Sequence, residues 1–244
     1  MSRFFVPQKS IRGSVALITG AEAHHVLDVM RLKKGDEIQF FDGTGKVYFG
    51  HIVDVHPKQL KVEIENVWKQ TVSSRIEVTL VQSLPRKNKI EYIIEKCTEL
   101  GIQTIIPTQT ARTVVRLDKQ KISARLMRWR KIAQEAAKQC GRTELPKVDG
   151  LLPWVEILSL VQRYDLKLLP CLSGDTRRLK DVLRNNQKAE KIVILVGPEG
   201  GFTAEERNQA CSAGCIPVSL ANQTLKSDTA AISALTMVNY ELGG

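Results

Sequence analysis

The segment Leu195-Val196-Gly197-Pro198-Glu199-Gly200-Gly201-Phe202 most constrains what this 244-residue chain can fold into. The apolar run 192–196 reads as a short buried strand. Beyond the glycines, Thr203-Ala204-Glu205-Glu206 has the T-x-x-E spacing of a helix capping box. A buried strand leading through a glycine loop into a capped helix is an α/β element. Glycine lets backbone approach a ligand closely, so the loop reads either as a ligand cradle or as a plain tight turn. It lies about four-fifths of the way along the chain. Classical nucleotide-binding glycine loops instead follow the first strand of their domain.

Upstream, the same α/β grammar begins near Ser73. A strand at 76–80 is followed by Pro85-Arg86-Lys87-Asn88 and a helix whose Ile90, Ile93, Ile94, Cys97 and Leu100 share one face. Gly101 ends that helix, and a second strand follows at 102–106. Strand–helix–strand at this spacing predicts a parallel sheet with right-handed crossovers. A long helix is expected from Lys119 to Cys140, with Ile122, Leu126, Trp129, Ala133, Ala136 and Cys140 buried. Arg128, Lys131, Glu135, Lys138 and Arg142 line another of its faces, as a nucleic-acid ridge or as an ordinary solvated surface. Further strands are expected at 166–172, 192–196 and 216–220, and helices at 153–162, 176–184 and 203–213. The last helix, about 228–242, is apolar around most of its circumference and must be buried, against its own sheet or in a subunit interface.

The first 70 residues follow a different pattern. Short alternating or apolar runs at 15–19, 37–41, 47–55 and 60–67 are separated by turn signals such as Asp42-Gly43-Thr44-Gly45. The stretch 21–31 is the exception, with Val26, Val29 and Met30 at helical spacing. These features suggest a small β-barrel of the kind that presents RNA-binding surfaces. The glycines at 43 and 45 read as a hairpin loop, because a strand follows them. The expected boundaries are a β domain at 1–72 and an α/β domain at 73–244.

With 43% hydrophobic residues the chain can bury a real core, and no apolar run approaches the roughly 20 residues needed to span a bilayer. A soluble cytoplasmic protein is expected. Five cysteines form no C-x-x-C pair, and the four histidines form no H-E-x-x-H or Cys/His constellation, so no metal is expected. The net charge is +10, and residues 71–150 carry 16 basic against 8 acidic side chains. A concentrated excess of this kind suits a polyanion, since each cation placed on a phosphate releases counterions. It equally suits a solvated face.

The motifs then converge. Gly197-Pro198-Glu199-Gly200-Gly201-Phe202, followed by Leu220-Ala221-Asn222-Gln223-Thr224-Leu225-Lys226-Ser227-Asp228-Thr229-Ala230, resembles the two C-terminal signatures of the small-subunit ribosomal RNA (16S) uridine-N3 methyltransferases. That family belongs to the SPOUT superfamily of trefoil-knotted, S-adenosylmethionine-dependent enzymes. Arg3-Phe4-Phe5-Val6 and His25-Val26-Leu27-Asp28-Val29-Met30-Arg31-Leu32-Lys33-Lys34-Gly35-Asp36 resemble the family's N-terminal PUA-like domain. Glu95-Lys96-Cys97-Thr98-Glu99-Leu100-Gly101 and the stretch from Trp129 through Gln139-Cys140-Gly141-Arg142 resemble its middle signatures. The last motif departs from the usual pattern, with Ala221 for glycine, Thr224 for isoleucine, Lys226 for arginine and Asp228 for glutamate. Lysine keeps the charge but not the planar two-pronged contact of a guanidinium.

The resemblance implies S-adenosylmethionine held among three loops of a knotted parallel α/β domain. Leu172, Val196, Gly197, Pro198, Glu199, Gly200 and Gly201 would supply the first two loops. Ser219, Leu220, Asn222 and Leu225 would supply the third. It also implies a homodimer that acts on 16S RNA of the small ribosomal subunit. Methylating N3 of uridine requires loss of its proton, so Arg142 or Lys226 is expected to stabilise the resulting charge. Glu199 or Asp228 is expected to accept the proton, unless Glu199 bonds loop amides and Asp228 caps the last helix. RNA contacts are expected from Arg3, Arg31, Lys33 and Lys34 in the barrel, and from Arg112, Arg128 and Lys138 in the middle of the chain. The alternatives are ribose 2′-O methylation by a related enzyme and a non-catalytic RNA-binding or assembly factor.

Overall fold

Alternation along the strands decides the architecture of the C-terminal part. In the computed structural model, which describes residues 3–69, 75–116, 118–171 and 175–243, the chain divides into two units. One is Met1–Ser73 with Ala137–Leu145, and the other is Ser74–Ala136 with Pro146–Gly244. Side chains at 119–121 also lie outside the description.

The first unit is a six-stranded mixed sheet of β1 (Phe4–Phe5), β2 (Ile11–Arg12), β3 (Val15–Thr19), β4 (Glu37–Phe41), β5 (Lys46–His56) and β6 (Gln59–Lys69). Its order is β1-β4-β5-β6-β3-β2, with β1 parallel to β4 and every other neighbour antiparallel. Phe4, Ala16, Ile18, Phe40, Tyr48, Ile52 and Leu60 form one buried core with Ala23 and Val26. The expected helix at 21–31 is shorter than its spacing suggests. It is α1 (Gly20–His24) continued by one π turn (His25–Val29), and Arg31 follows with φ +57°. The glycines at 43 and 45 turn the chain between β4 and β5, as expected, and this turn also receives the segment 143–145. Gly45 N–H donates to the Thr143 carbonyl at 3.1 Å, and Leu145 N–H donates to the Gly43 carbonyl at 3.0 Å.

The second unit contains β7 (Glu77–Ser83), β8 (Thr104–Gln109), β9 (Lys147–Val148), β10 (Leu152–Pro153), β11 (Leu166–Pro170), β12 (Arg177–Arg178), β13 (Lys191–Val196) and β14 (Ile216–Ser219). The strand order is β10-β8-β7-β13-β11-β14-β12, with β9 also on β8, and each pairing is parallel as the βαβ spacing predicts. A parallel sheet must be covered on both faces. Ile192, Ile194 and Val196 of β13 point into one core, and Val193 and Leu195 into the other. The first core is closed by α2 (Lys89–Glu99), α3 (Lys119–Cys140), α5 (Leu179–Arg184) and α7 (Ser227–Leu242). The second is closed by α4 (Trp154–Leu160) and α6 (Ala204–Ser212).

The last helix is buried on one side only. Ala231, Ala234, Leu235, Val238 and Leu242 face the core, while Met237 and Tyr240 are exposed. No described helix is long and apolar enough to cross a membrane.

Candidate cofactor site

In an open parallel sheet, ligands bind outside the carboxyl ends of the strands where the strand order reverses. In the second unit, the loops that leave β8, β11, β13 and β14 at that end surround a cavity of about 300 Å³. That volume sits at the lower end of the roughly 300–1,000 Å³ common for small-molecule sites. The β13 loop contributes everything from Val196 to Gly201, together with Phe202. The β14 loop contributes Leu220, Ala221, Gln223, Thr224 and Leu225. Pro170 and Cys171 come from the end of β11, and Ser227 and Ala230 from the start of α7.

The glycines are spaced by a backbone crossing. Gly201 has φ +65°, in the left-handed region that favours glycine. A Cβ on Gly197 would stand 3.1 Å from the Gly201 backbone, so any side chain there would push the loop apart. The loop is also tied to the last helix. Ser227 Oγ donates to the Gly197 carbonyl at 2.7 Å, and Gln82 Nε2 donates to Ser227 Oγ at 2.9 Å. Gln82 is wholly buried and its amide also donates to the Ser83 carbonyl. A hydrogen-bonded chain of buried polar groups therefore fixes where the β13 and β14 loops meet.

The capping box read from the sequence is present in full. Glu206 N–H donates to Thr203 Oγ1 at 3.1 Å, and Thr203 N–H donates to Glu206 Oε2 at 2.8 Å. The other carboxylate oxygen of Glu206 accepts from Ala111 N–H at 2.7 Å, which brings the loop after β8 to the cavity. The next residue, Arg112, lines the cavity and donates from Nη1 to the Gly200 carbonyl at 2.7 Å. Arg207 lines it as well. Burial pushes the Cys171 thiol above its usual range, partly offset by Arg207 and reinforced by Cys211.

The expected cofactor residues separate on this geometry. Val196, Gly197, Pro198, Glu199, Gly200, Gly201, Leu220 and Leu225 border the cavity, Ser219 and Asn222 are not among its lining residues, and Leu172 lies outside the described residues. Sequence reasoning missed Arg207, Ser227 and Ala230. Ser227 and Ala230 stand inside the quoted C-terminal motif without being singled out there, and the only signal for Arg207 is its position beside the capping box.

Of the residues expected to do chemistry, Glu199 borders the cavity, and its Oε1 accepts from Arg86 N–H at 2.9 Å. Asp228 pairs with Lys89 at 3.2 Å. It is not the cap of α7, because the backbone of Lys226 occupies that position. Lys226 is exposed at that helix start and does not line the cavity. Arg142 belongs to the first unit, where burial holds its guanidinium below its usual range against the pull of Cys140 and Glu144.

The expected RNA-contacting residues also differ in their surroundings. Arg31, Lys33 and Lys34 are exposed. Arg3 donates to the Gly141 carbonyl. Arg128 makes a two-pronged pair with Glu91 at 2.7 and 2.8 Å, and Lys138 pairs with Glu22 at 2.7 Å with both side chains nearly buried. Among the described residues no group of three or more His, Cys, Asp or Glu is placed to hold a metal ion.

Comparison with known proteins agrees with this architecture. Residues 72–239 match the family model of an RNA methyltransferase domain, and residues 18–65 match that of an RNA methyltransferase PUA domain. The chain is 30% identical to ribosomal RNA small subunit methyltransferase E of Bacillus subtilis, over 99% of this chain and 97% of that protein. It is 33% identical to the protein of the same name from Synechocystis, over 96% of this chain and 75% of that one. Among solved structures, a ribosomal RNA small subunit methyltransferase E from Neisseria gonorrhoeae bound to S-adenosyl methionine superposes with a TM-score of 0.86 at 28% identity, covering 98% of this chain and 97% of that one. A putative methyltransferase from Legionella pneumophila with bound SAM gives a TM-score of 0.88 at 27% identity, covering 98% and 97%.

Proposed function

The chain belongs to the ribosomal RNA small subunit methyltransferase E family, and from that premise we propose that it methylates N3 of an unpaired uridine in 16S RNA. It is an S-adenosylmethionine-dependent methyltransferase of small-subunit ribosomal RNA, with a SPOUT α/β domain and a PUA domain. The observation that carries this reading is the cavity at the carboxyl ends of β8, β11, β13 and β14, closed by the Gly197–Ser227 hydrogen bond.

The residues present fit the cofactor. Val196, Phe202, Leu220 and Leu225 offer apolar surface to an adenine ring, and the glycine backbone leaves peptide groups within reach of its polar edge. The loops around Gly197 and Leu225 would hold it. When bound, S-adenosylmethionine supplies an electrophilic methyl group carried on a sulfonium. The protein's task is to exclude water, orient the base and move the N3 proton. Glu199 is the expected acceptor that stands at the cavity, because Oε1 is held by the Arg86 amide while Oε2 accepts no hydrogen bond from the described residues. N3 lies on the pairing edge of uracil, so the base must be unpaired or flipped out to react.

The RNA backbone is met by the exposed Arg31, Lys33 and Lys34 of the first unit. Arg128 and Lys138 serve as internal ion pairs in this reading. The exposed Met237 and Tyr240 on α7 suit a homodimer interface, which sedimentation of the wild type and of Tyr240→Glu would test. A cytoplasmic location fits a small-subunit ribosomal RNA substrate.

The decisive experiment incubates the protein and labelled cofactor with small subunits from a strain lacking the enzyme. The modified nucleoside is then identified by mass spectrometry. Label in N3-methyluridine is the expected result, and label on a ribose 2′-oxygen would replace the N3 reading. Calorimetry without cofactor binding would leave an RNA-binding or assembly factor.

A further inference from the structure

Arg112 stands at the cavity in a more controlled setting than a phosphate contact requires. Its loop is braced from within. Thr110 N–H donates to Thr113 Oγ1 at 2.9 Å, Thr113 N–H donates to the Thr110 carbonyl at 3.0 Å, and Gln109 Nε2 donates to the Val115 carbonyl at 2.9 Å. The buried Glu206 spends one carboxylate oxygen on Ala111 N–H and the other on Thr203 N–H. The loop carrying Arg112 and the loop carrying Gly200 are thus held by the same side chain. The stem of Arg112 lies across Gly200, where an added Cβ would already be 3.4 Å from Arg112 Cδ. Its Nη1–H then donates to the Gly200 carbonyl.

That bond uses one of the five N–H groups of the guanidinium. The side chain is otherwise exposed, and it borders the cavity. A rigid cation with unused donors beside a cofactor cavity is what stabilisation of developing negative charge requires, because no reorganisation is needed when the charge appears.

We propose that Arg112 is a catalytic residue that donates to a carbonyl oxygen flanking N3 as the uracil ring becomes anionic. This inference rests on the N3 reading given above. In the step concerned the N3–H bond breaks, the proton passes to the Glu199 carboxylate, and the electron pair left on N3 is delocalised onto the two flanking carbonyl oxygens. Arg112 gives up no proton. It lowers the cost of the anion and so raises its population at neutral pH.

The test compares wild type with Arg112→Ala and Arg112→Lys in two measurements. In single-turnover rates at saturating cofactor, Arg112→Ala should be slower by about a hundredfold near neutral pH. The deficit should shrink as pH rises towards the range where uracil ionises unaided, and Arg112→Lys should recover part of it. The second measurement needs no cofactor: equilibrium binding of a short unpaired oligouridine and of its 5-fluoro counterpart, whose N3 is more acidic. The wild type should prefer the fluorinated strand increasingly as pH rises, and Arg112→Ala should lose that preference. A deficit constant with pH, together with an unchanged or absent fluorouridine preference, would overturn the proposal and leave Arg112 as a phosphate contact. Thermal melting and calorimetry with S-adenosylmethionine establish that the variants fold and bind. Failure of the N3 reading is seen separately, as a wild type that places its methyl group on another atom.

Discussion

At the scale of single residues, the tightest constraint is the crossing at Gly197. A Cβ there meets the Gly201 α-carbon and carbonyl carbon at 3.1 Å and Phe202 N at 3.2 Å, and all three are backbone atoms that cannot rotate away. Gly197→Ala should therefore open the loop, with at least a tenfold loss of S-adenosylmethionine affinity by calorimetry and a smaller fall in melting temperature; unchanged affinity would mean the loop is not the cradle. A second residue-scale effect belongs to Asp42 and Tyr48 in the first unit. Burial, together with the Asp42 carboxylate that its hydroxyl meets at 2.9 Å, raises the Tyr48 phenol to about 12. For Asp42, burial alone would raise the carboxyl, but hydrogen bonds from Thr44, Tyr48 and Gln8 outweigh it and the net shift is downward. The signs set two windows. The Tyr48 contribution is complete below the free phenol value of about 10 and is lost as pH rises towards about 12. The Asp42 contribution is present above the free carboxyl value of about 3.9 and is lost as pH falls through the depressed one. Urea titrations of wild type and Tyr48→Phe should therefore differ near neutrality and converge in strong alkali.

Among the elements, α6 shows how far sequence can be read. The T-x-x-E spacing located the helix start, and both reciprocal bonds are present. The same spacing was silent about the third bond, from Ala111 N–H to Glu206, because it spans 95 residues. Glutamine keeps the capping-box shape but has only one acceptor oxygen for two amides. Glu206→Gln should cost about 1 kcal/mol in urea denaturation, through one part-buried amide left without its acceptor. It should also slow methyl transfer if the loop after β8 positions Arg112. A Glu206→Gln protein as stable as wild type would show that one of the two amides finds water instead. In α3 the basic ridge was legible as a pattern but not in its meaning. The Glu91 and Glu22 carboxylates that engage Arg128 and Lys138 lie far away in sequence, and Lys131 pairs with Glu135 within the helix at 2.7 Å. At the first unit's helix, periodicity could not foresee that the α-helical turn gives way to a π turn after His24.

Across the whole molecule, what was legible is what local chemistry encodes: strand runs, helix faces, the glycine loop and the parallel grammar. The order β10-β8-β7-β13-β11-β14-β12 was not, because strand neighbours are chosen by contacts between distant segments. For the same reason the cavity gathered Arg112, Cys171 and Ser227 from three separate stretches of chain. Charge is the property that acts at this scale, and the net +10 is unevenly available to a polyanion. Arg31, Lys33 and Lys34 are exposed, with the Asp36 carboxylate held by the Lys33 amide at 2.7 Å. Arg128, in contrast, already faces the Glu91 carboxylate with two hydrogen bonds. A cation that neutralises a phosphate contributes about 0.7–0.9 to the slope of log affinity against log salt, whereas one neutralised internally contributes little. Lys33→Ala with Lys34→Ala should therefore flatten the salt dependence of small-subunit RNA binding by about 1.4–1.8 and weaken binding most at low salt. Arg128→Ala should leave the slope where it was and change stability little, as expected for an exposed pair. If instead Arg128→Ala flattens the slope and the double lysine variant does not, the RNA lies along α3, and its ion pair with Glu91 opens on binding.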